Sequence, residues 1–224
     1  CFTTMQTILV LNPNSSTAIT RQMKEGCSEL DLGPGLRTSF HTLPGMPESI
    51  ESQRDVETVV VPTCDYLLTH PADAYVIGCF SDPGLALCRE ELNSPVVGIA
   101  ESAYREASAS GGRFGVVSIG ERSIPRHAHA IAALGLTKCL AGDRPLNLGV
   151  LDLLDRERTI ARIIDVGRML RDSDGADVLI LGCATMGAFR SSVEHALAMP
   201  VIDPTQAGIR RASTLMTLKH ANSF

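Results

Sequence analysis

The sequence predicts an α/β fold with two pseudo-symmetric lobes, each a mostly parallel sheet flanked by helices, and an active site in the cleft between the lobes. Three observations lead to this prediction. Short β-branched runs alternate with helical patterns along the chain, and one block of sequence recurs 104 positions later. With 224 residues, 44% of them hydrophobic, the chain can form one large core or two lobes.

Hydrophobic patterns identify the individual elements. The apolar runs that read as buried parallel strands are Thr7 to Leu11, Ala74 to Gly78, Val96 to Ile99, Arg113 to Ile119, Asp177 to Leu181 and Val201 to Ile202. Between them apolar residues recur at helical spacing, as in Ile19, Met23, Cys27 and Leu30, and Asp155 is the expected N-cap of another such helix. These helices are predicted to cover the sheets.

An internal repeat divides the chain. The block ADAYVIGCFSDPGL from Ala72 resembles ADVLILGCATMGAF from Ala176, and SPVVGIAES from Ser94 matches MPVIDPTQA from Met199 at nearly the same offset. The repeat predicts a first lobe over residues 5–100 and a second over residues 101–205. A C-terminal helix over residues 206–219 is expected to pack back on the first lobe.

Composition argues against several classes of protein. The formal net charge is −5 and the basic residues are scattered, so we expect no nucleic-acid partner. No apolar run approaches the roughly 20 residues that span a bilayer, and the N-terminus lacks the pattern of a signal peptide. We therefore expect a cytoplasmic protein with no membrane partner and a small-molecule substrate. Residues 1–4 are assigned no role.

The seven cysteines are odd in number and contain no CxxC pair, which argues against a disulfide framework and a zinc site. Cys27, Cys64, Cys88 and Cys139 fall in apolar patterns and are interpreted as small core residues. Cys79 and Cys183 instead stand at equivalent positions of the repeat, each after a strand and before a helix.

That placement suggests a pair of acid/base groups. Ligands of open α/β sheets bind at the carboxyl ends of the strands, where backbone amides and a helix N-terminus favour the thiolate of a cysteine. Two such thiols, facing each other across a cleft, are what inversion at carbon requires, since one removes a proton and the other returns one to the opposite face. Cys79 and Cys183 are the predicted catalytic residues.

The chain also resembles the aspartate/glutamate/hydantoin racemase superfamily, and within it the hydantoin and allantoin racemases. The resemblance rests on LNPNSS from Leu11, GCFSDPGL from Gly78, GVVSIG from Gly115, LGCATMG from Leu181 and PVID from Pro200. It implies 1,1-proton transfer by Cys79 and Cys183 without pyridoxal phosphate, metal or other cofactor. It also implies a five-membered cyclic ureide as substrate, either allantoin or a 5-substituted hydantoin, and a homo-oligomer.

An enolate formed from such a ring must be held by hydrogen-bond donors. The substrate-binding residues expected from the motifs are Asn12, Asn14, Ser15, Phe80, Ser81, Ser118, Ala184 and Thr185. Thr185 stands where many hydantoin racemases carry Gly. Its hydroxyl could meet a polar substituent of the substrate, as in allantoin, or serve packing alone.

Other polar residues are interpreted as structural. Asp82 is expected to cap the helix that Pro83 begins, and His127 and His129 to lie on a solvated helix face. Alternatives stay open: an amino acid racemase, decarboxylase or isomerase of the same superfamily, an inactive ligand-binding homologue, or a cysteine-based redox sensor. The motifs contain no Arg or Lys to bind the carboxylate of an acidic amino acid.

Overall fold

The structure is a computed structural model that describes residues 5–221; residues 1–4 lie outside the described part. Within that part, the strands form two four-stranded sheets in which every pair is parallel. The first sheet, in the order β2-β1-β3-β4, comprises β1 (Gln6–Asn12), β2 (Leu36–Thr42), β3 (Ala74–Ile77) and β4 (Val96–Gly98). The second sheet, in the order β6-β5-β7-β8, comprises β5 (Phe114–Ser118), β6 (Leu140–Pro145), β7 (Val178–Leu181) and β8 (Val201–Ile202).

Helices connect these parallel strands, as parallel pairing requires. The α-helices are α1 (Thr17–Gly26), α2 (Gln53–Thr58), α3 (Val60–Thr69), α4 (Leu85–Glu91), α5 (Ile99–Ala109), α6 (Ile124–Ala133), α7 (Arg156–Asp172), α8 (Arg190–Leu197) and α9 (Pro204–Ala221). Short 3₁₀ helices lie at Glu121–Ser123, Thr137–Cys139, Leu151–Leu154 and Ala184–Phe189. Asp155 caps α7 as predicted, by accepting from the amide of Arg158. None of the helices in residues 5–221 has the length and apolarity needed to cross a bilayer.

The six predicted strands are confirmed, but β2 and β6 were not predicted. Both are edge strands, and no residue of either is fully buried. Each therefore mixes polar and apolar residues and lacks the continuous apolar run of a central parallel strand. The two sheets have the same strand order, which matches the repeat in the sequence.

The helices α5 and α9 join the two halves of the molecule. Each follows the last strand of its sheet, and the two helices pack against each other. The helix α9 also contacts β1, β3 and β4 of the first sheet, while α5 contacts β4 of the first sheet and both β5 and β7 of the second. The C-terminal helix thus packs on the first sheet.

A carboxylate caps the N-terminus of each of these two helices, and it comes from different positions in the two halves: Asp82 is partly buried and Asp203 is buried. The Asp82 side chain accepts from the amides of Ala100 and Glu101, at 2.9 and 2.8 Å, and so caps α5. The prediction that Asp82 caps the helix after Pro83 was therefore wrong. A Cβ on Gly98 would overlap this carboxyl group. In the second half Asp203 replaces that glycine and accepts from the amide of Thr205 at 2.8 Å.

Candidate active site

The loops that follow the central strands meet at one cavity. In the first sheet β2 lies on one side of β1 and β3 on the other, and in the second sheet β6 and β7 flank β5 in the same way. This change of direction creates a crevice at the carboxyl ends of β1 and β3, and another at those of β5 and β7. Loops from both crevices line a single cavity of about 410 Å³. This volume is in the range that small-molecule sites occupy.

Cys79 and Cys183 both line this cavity. Cys79 follows β3 and is half-buried, while Cys183 follows β7 and is 8% exposed. The two thiols belong to different sheets and to equivalent positions of the repeat. The structure therefore brings the two predicted catalytic residues to one cavity.

The environment of Cys79 favours its neutral thiol over the thiolate. Burial raises the pKa of the Cys79 thiol to about 12, although the backbone N–H of Ser81 donates to its sulfur and opposes this rise. The nearby Cys183 sulfur raises the pKa of Cys79 further, and the Arg126 guanidinium lowers it. Because the two negative charges would oppose each other, a state in which both thiols are ionised at once is disfavoured.

Cys183 has more donors directed at its sulfur. Burial raises the pKa of the Cys183 thiol, whereas the Thr185 hydroxyl and the amides of Thr185 and Ala184 lower it. The hydroxyl oxygen lies 3.2 Å from the sulfur. Backbone amides lower the thiol pKa at both cysteines, as predicted, but burial raises it by more. Of the two, Cys183 is better equipped to hold the thiolate.

The predicted substrate-binding residues fall into two groups. Asn14, Phe80, Ser81 and Ala184 line the cavity together with the thiols. The remaining four do not line it: Asn12, Ser118 and Thr185 are buried, and Ser15 is partly exposed. Of these, Thr185 is fully buried, so its hydroxyl serves the sulfur of Cys183 and not a substituent of a ligand.

Asn12 fixes the loop that carries Asn14. Its side-chain amide donates to Asn14 Oδ1 at 2.8 Å, to Thr20 Oγ1 at 3.0 Å and to the Ser16 carbonyl at 3.2 Å. The backbone N–H of Ser16 also donates to Asn14 Oδ1. Asn12 is only 1% exposed, so it acts by holding the loop and not by touching a ligand.

His127 was wrongly predicted to lie in solvent. It is 2% exposed, lines the cavity, and places Nδ1 2.8 Å from Asp143 Oδ2. Ser118 bridges the pair, since its hydroxyl donates to the other carboxylate oxygen of Asp143. Only His129, two residues further on, is exposed as predicted. The prediction failed because Asp143 lies on β6, a strand that the sequence pattern did not reveal.

Charged residues that the motifs did not indicate also line the cavity. They are Glu51 after β2, and Glu121, Arg122 and Arg126 after β5. Glu51 Oε1 accepts from the amide of Val150 at 2.9 Å, which links the loop after β2 to the loop after β6. Among residues 5–221, no cluster of three His, Cys, Asp or Glu side chains is arranged to hold a metal ion.

A family of known sequences matches most of the chain. The family model described as Asp/Glu/Hydantoin racemase matches residues 8–212. A hydantoin racemase of Paenarthrobacter aurescens is 33% identical over 222 residues, which cover 96% of this chain and 93% of that protein. The similarity therefore extends over both lobes.

Solved structures give the same result. Allantoin racemase from Pseudomonas fluorescens superposes with a TM-score of 0.90 at 26% identity, over 95% of this chain and 92% of that one. Allantoin racemase from Klebsiella pneumoniae superposes with a TM-score of 0.86 at 29% identity, over 96% and 89% of the two chains. The whole two-sheet architecture is shared with these proteins.

Proposed function

The chain belongs to the hydantoin/allantoin racemase branch of the Asp/Glu/hydantoin racemase family, and from this premise we propose that it inverts C5 of a five-membered cyclic ureide. The substrate is allantoin or a 5-substituted hydantoin, and Cys79 and Cys183 are the two bases of a cofactor-independent reaction. One observation carries the proposal: the two thiols come from equivalent positions of the repeat and line one cavity.

The reaction is balanced by the two sulfurs alone. The thiolate of one cysteine removes the C5 proton, and the electron pair of the broken C–H bond moves onto the adjacent carbonyl to form an enolate. The thiol of the other cysteine then protonates C5 from the opposite face and becomes the thiolate. A pair that carries one charge at a time supports both directions of this transfer.

Circular dichroism tests the proposal. Single enantiomers of allantoin and of 5-benzylhydantoin are incubated with the purified protein in deuterated buffer without added cofactor. We expect decay of the signal with incorporation of deuterium at C5, and the faster substrate identifies the substituent that the cavity accepts. No decay and no exchange with either compound would contradict the proposal.

Replacement of the two thiols separates their roles. Cys79→Ser and Cys183→Ser are each expected to abolish racemisation, because a serine hydroxyl is far too weak an acid and base near neutral pH. Exchange from one face can survive in a single variant. Cys139→Ser is the matched control, since that cysteine does not line the cavity, and it should racemise at the wild-type rate. Full activity of both single variants would exclude the two-thiol mechanism.

A second candidate substrate is an acidic amino acid. It is favoured by Arg122 and Arg126, which place two guanidinium groups in the wall although neither lies in a motif. Against it, Arg126 already donates to the carbonyls of Arg122 and Glu51, at 2.9 and 3.1 Å. The carboxylates of Glu51 and Glu121 in the same wall would also repel a dicarboxylate. The same assay with L-aspartate and L-glutamate decides between the two classes.

A further inference from the structure

The helix α1 of the first half contacts the turn that follows Cys183 in the second half. Gln22, on α1, donates from Nε2 to the carbonyl of Thr185 at 3.0 Å and lies 3.5 Å from the carbonyl of Leu153. A primary amide has two hydrogens and a carbonyl can only accept, so one side chain serves both partners. The helix α1 also packs against the 3₁₀ helix Ala184–Phe189. Gln22 therefore links the first half of the molecule to the turn beside one of the two thiols.

The carbonyl of Thr185 belongs to a peptide group that is bonded at both ends. The other end of this group is the N–H of Met186, which donates to the carbonyl of Cys183 at 3.1 Å. Hydrogen bonds in such a chain polarise and strengthen one another. Because a peptide group is planar, bonds at its opposite ends restrict its orientation. Gln22 and Cys183 thus hold the Thr185–Met186 peptide between them.

The donors directed at the sulfur of Cys183 lie in the same short turn. Thr185 Oγ1 is 3.2 Å from the sulfur, and the amides of Ala184 and Thr185 also donate to it. Since Thr185 and Met186 are both buried, a Thr185 carbonyl that lost its donor would have to turn toward another partner. That rotation would move the hydroxyl and the amide of Thr185 relative to the sulfur. The bonds of Gln22 go to backbone carbonyls, so its effect on the thiol is transmitted by this turn.

We propose that Gln22 is a positioning residue for Cys183: it holds the Thr185–Met186 peptide from the opposite half, and so keeps the Thr185 hydroxyl and the two amides directed at the sulfur. This inference rests on the proposed function, in which Cys183 is one of the two bases. Gln22 does not line the cavity, and it transfers no proton. Since Cys79 follows β3 of the half that contains α1, the bond also ties the turn of one thiol to the half that carries the other.

Gln22→Met tests this role. Methionine keeps the length of the side chain and most of its helix propensity, but it cannot donate to a carbonyl. Without that bond the thiolate of Cys183 should lose part of its stabilisation, so the pKa of the thiol should rise. Mass spectrometry measures the rate at which iodoacetamide alkylates Cys183 across pH. We expect an upward shift of the midpoint and a rate near neutral pH about fivefold lower, as for the loss of one neutral hydrogen bond.

The midpoint of the alkylation profile separates positioning of the donors from a change in access. A turn that only admits the reagent more or less readily would change the rate by the same factor at every pH and leave the midpoint in place. The charges that act on the Cys183 sulfur come from Glu51 and from Cys79 when it is ionised. The substitution leaves both groups unchanged, so a shifted midpoint reports the donors of the turn.

A double-mutant cycle tests whether Gln22 acts through Thr185. Thr185→Val removes the hydroxyl donor and keeps the shape of the side chain. In that background Gln22→Met has fewer donors to displace, so the combined shift of the midpoint should be smaller than the sum of the two single shifts. Shifts that simply add would overturn the inference, because Gln22 would then act on Cys183 independently of Thr185.

Gln53→Met is the matched control, because Gln53 is an exposed glutamine on α2 that does not line the cavity. This variant should keep the wild-type midpoint for Cys183 and the wild-type kcat/KM. Thermal unfolding followed by circular dichroism shows whether each variant is folded. Gln22→Ala, with the residue of highest helix propensity, takes the place of Gln22→Met if the latter does not fold.

Racemisation distinguishes this inference from the proposed function. The kcat/KM of Gln22→Met should fall by the same factor for both enantiomers, because enantiomers have equal free energies. Wild-type protein that racemises a ureide, together with a Gln22→Met variant of unchanged kcat/KM and unchanged midpoint for Cys183, would overturn the inference and leave the proposed function intact. Inactivity of the wild-type protein on every ureide would instead overturn the proposed function, while the midpoint would still decide whether Gln22 positions the donors of Cys183.

Discussion

The contact between the hydroxyl of Thr185 and the sulfur of Cys183 lowers the pKa of that thiol and partly offsets the effect of burial. They lie 3.2 Å apart, and both groups are buried. A hydroxyl that donates to a thiolate stabilises the charged form, whereas burial disfavours it. Thr185 therefore acts on the thiol of Cys183, whereas the sequence had suggested either a contact with a substituent of the substrate or packing alone.

Thr185→Val removes this donor and keeps the shape of the side chain. Since the thiolate loses a stabilising hydrogen bond, the pKa of Cys183 should rise further, and a higher pH is needed to form the thiolate. Mass spectrometry measures the rate at which iodoacetamide alkylates Cys183 at a series of pH values, and the midpoint of this profile reports the pKa of the thiol. For a rise of one pKa unit, the rate near neutral pH should fall about tenfold. Alkylation of Cys139 is the internal control, and an unchanged or lower midpoint for Cys183 would contradict this role.

Residues that line the cavity were predictable where the sequence pattern revealed the strand that precedes them. Cys79, Cys183, Asn14, Phe80, Ser81 and Ala184 follow buried apolar runs and do line the cavity. His127 was not, although helical spacing correctly separated it from His129. Its burial depends on Asp143, which is 16 residues away on an edge strand, and such a pairing leaves no local pattern.

At the scale of elements, each half caps the helix after its last strand with a carboxylate, but the carboxylate stands at a different position in each half. In the first half a carboxylate at position 82 packs against Gly98, and in the second half a carboxylate at position 203 packs against Gly187. Gly98 and Asp203 are equivalent in the repeat, so each half has one carboxylate and one glycine at this contact. The carboxylate stabilises the N-terminus of α5 in one half and of α9 in the other.

This exchange predicts a strong coupling between two substitutions. Asp82→Gly should lose a helix cap at a cost of about 1–2 kcal/mol, and Gly98→Asp should cost about 1–3 kcal/mol because it overlaps Asp82. The double variant places the carboxylate at the position equivalent to Asp203 and frees the space that Asp82 fills, and the backbone of Gly98, at φ −94°, suits a capping residue. It should unfold in urea with nearly the wild-type free energy.

Asp65→Ala on the exposed side of α3 is the control for loss of an acidic side chain, and it should change stability by about 0.5 kcal/mol or less. If the costs of the two single substitutions simply added in the double variant, the two carboxylates would not be interchangeable, and the proposed equivalence would be wrong.

Half-exposed edge strands set the limit of the sequence prediction for elements. The strands β2 and β6 are half-exposed along their whole length, so side-chain alternation and polar residues mask them. The loops that follow them were missed for the same reason, although they contribute Ile50, Glu51, Asn147, Leu148 and Val150 to the cavity. The internal repeat reveals the buried strands, including the edge strands β4 and β8, better than the half-exposed strands β2 and β6.

At the scale of the whole molecule, the pseudo-twofold repeat explains why one cavity contains two thiols. Each sheet contributes the loops after its first three strands in sequence, and the link between Glu51 and Val150 holds two of these loops together across the cavity. The repeat made this architecture predictable from the sequence, together with its two central cysteines. The charged wall was not predictable, because Arg122 lies in the 3₁₀ helix Glu121–Ser123 and Arg126 in α6, and neither segment contains a motif.

Isotope analysis of the two enantiomers at early reaction times tests the two-thiol mechanism most directly. One enantiomer of the faster ureide is incubated with the protein in deuterated water, and the reaction is stopped after little conversion. The two enantiomers are then separated, and mass spectrometry measures the deuterium in each. Protein-free buffer is the control for spontaneous exchange. Two opposed thiols predict a product enantiomer that carries deuterium at C5 and a remaining substrate enantiomer that keeps its hydrogen. Equal deuterium in both enantiomers from the start would contradict the account, because one base would then serve both faces.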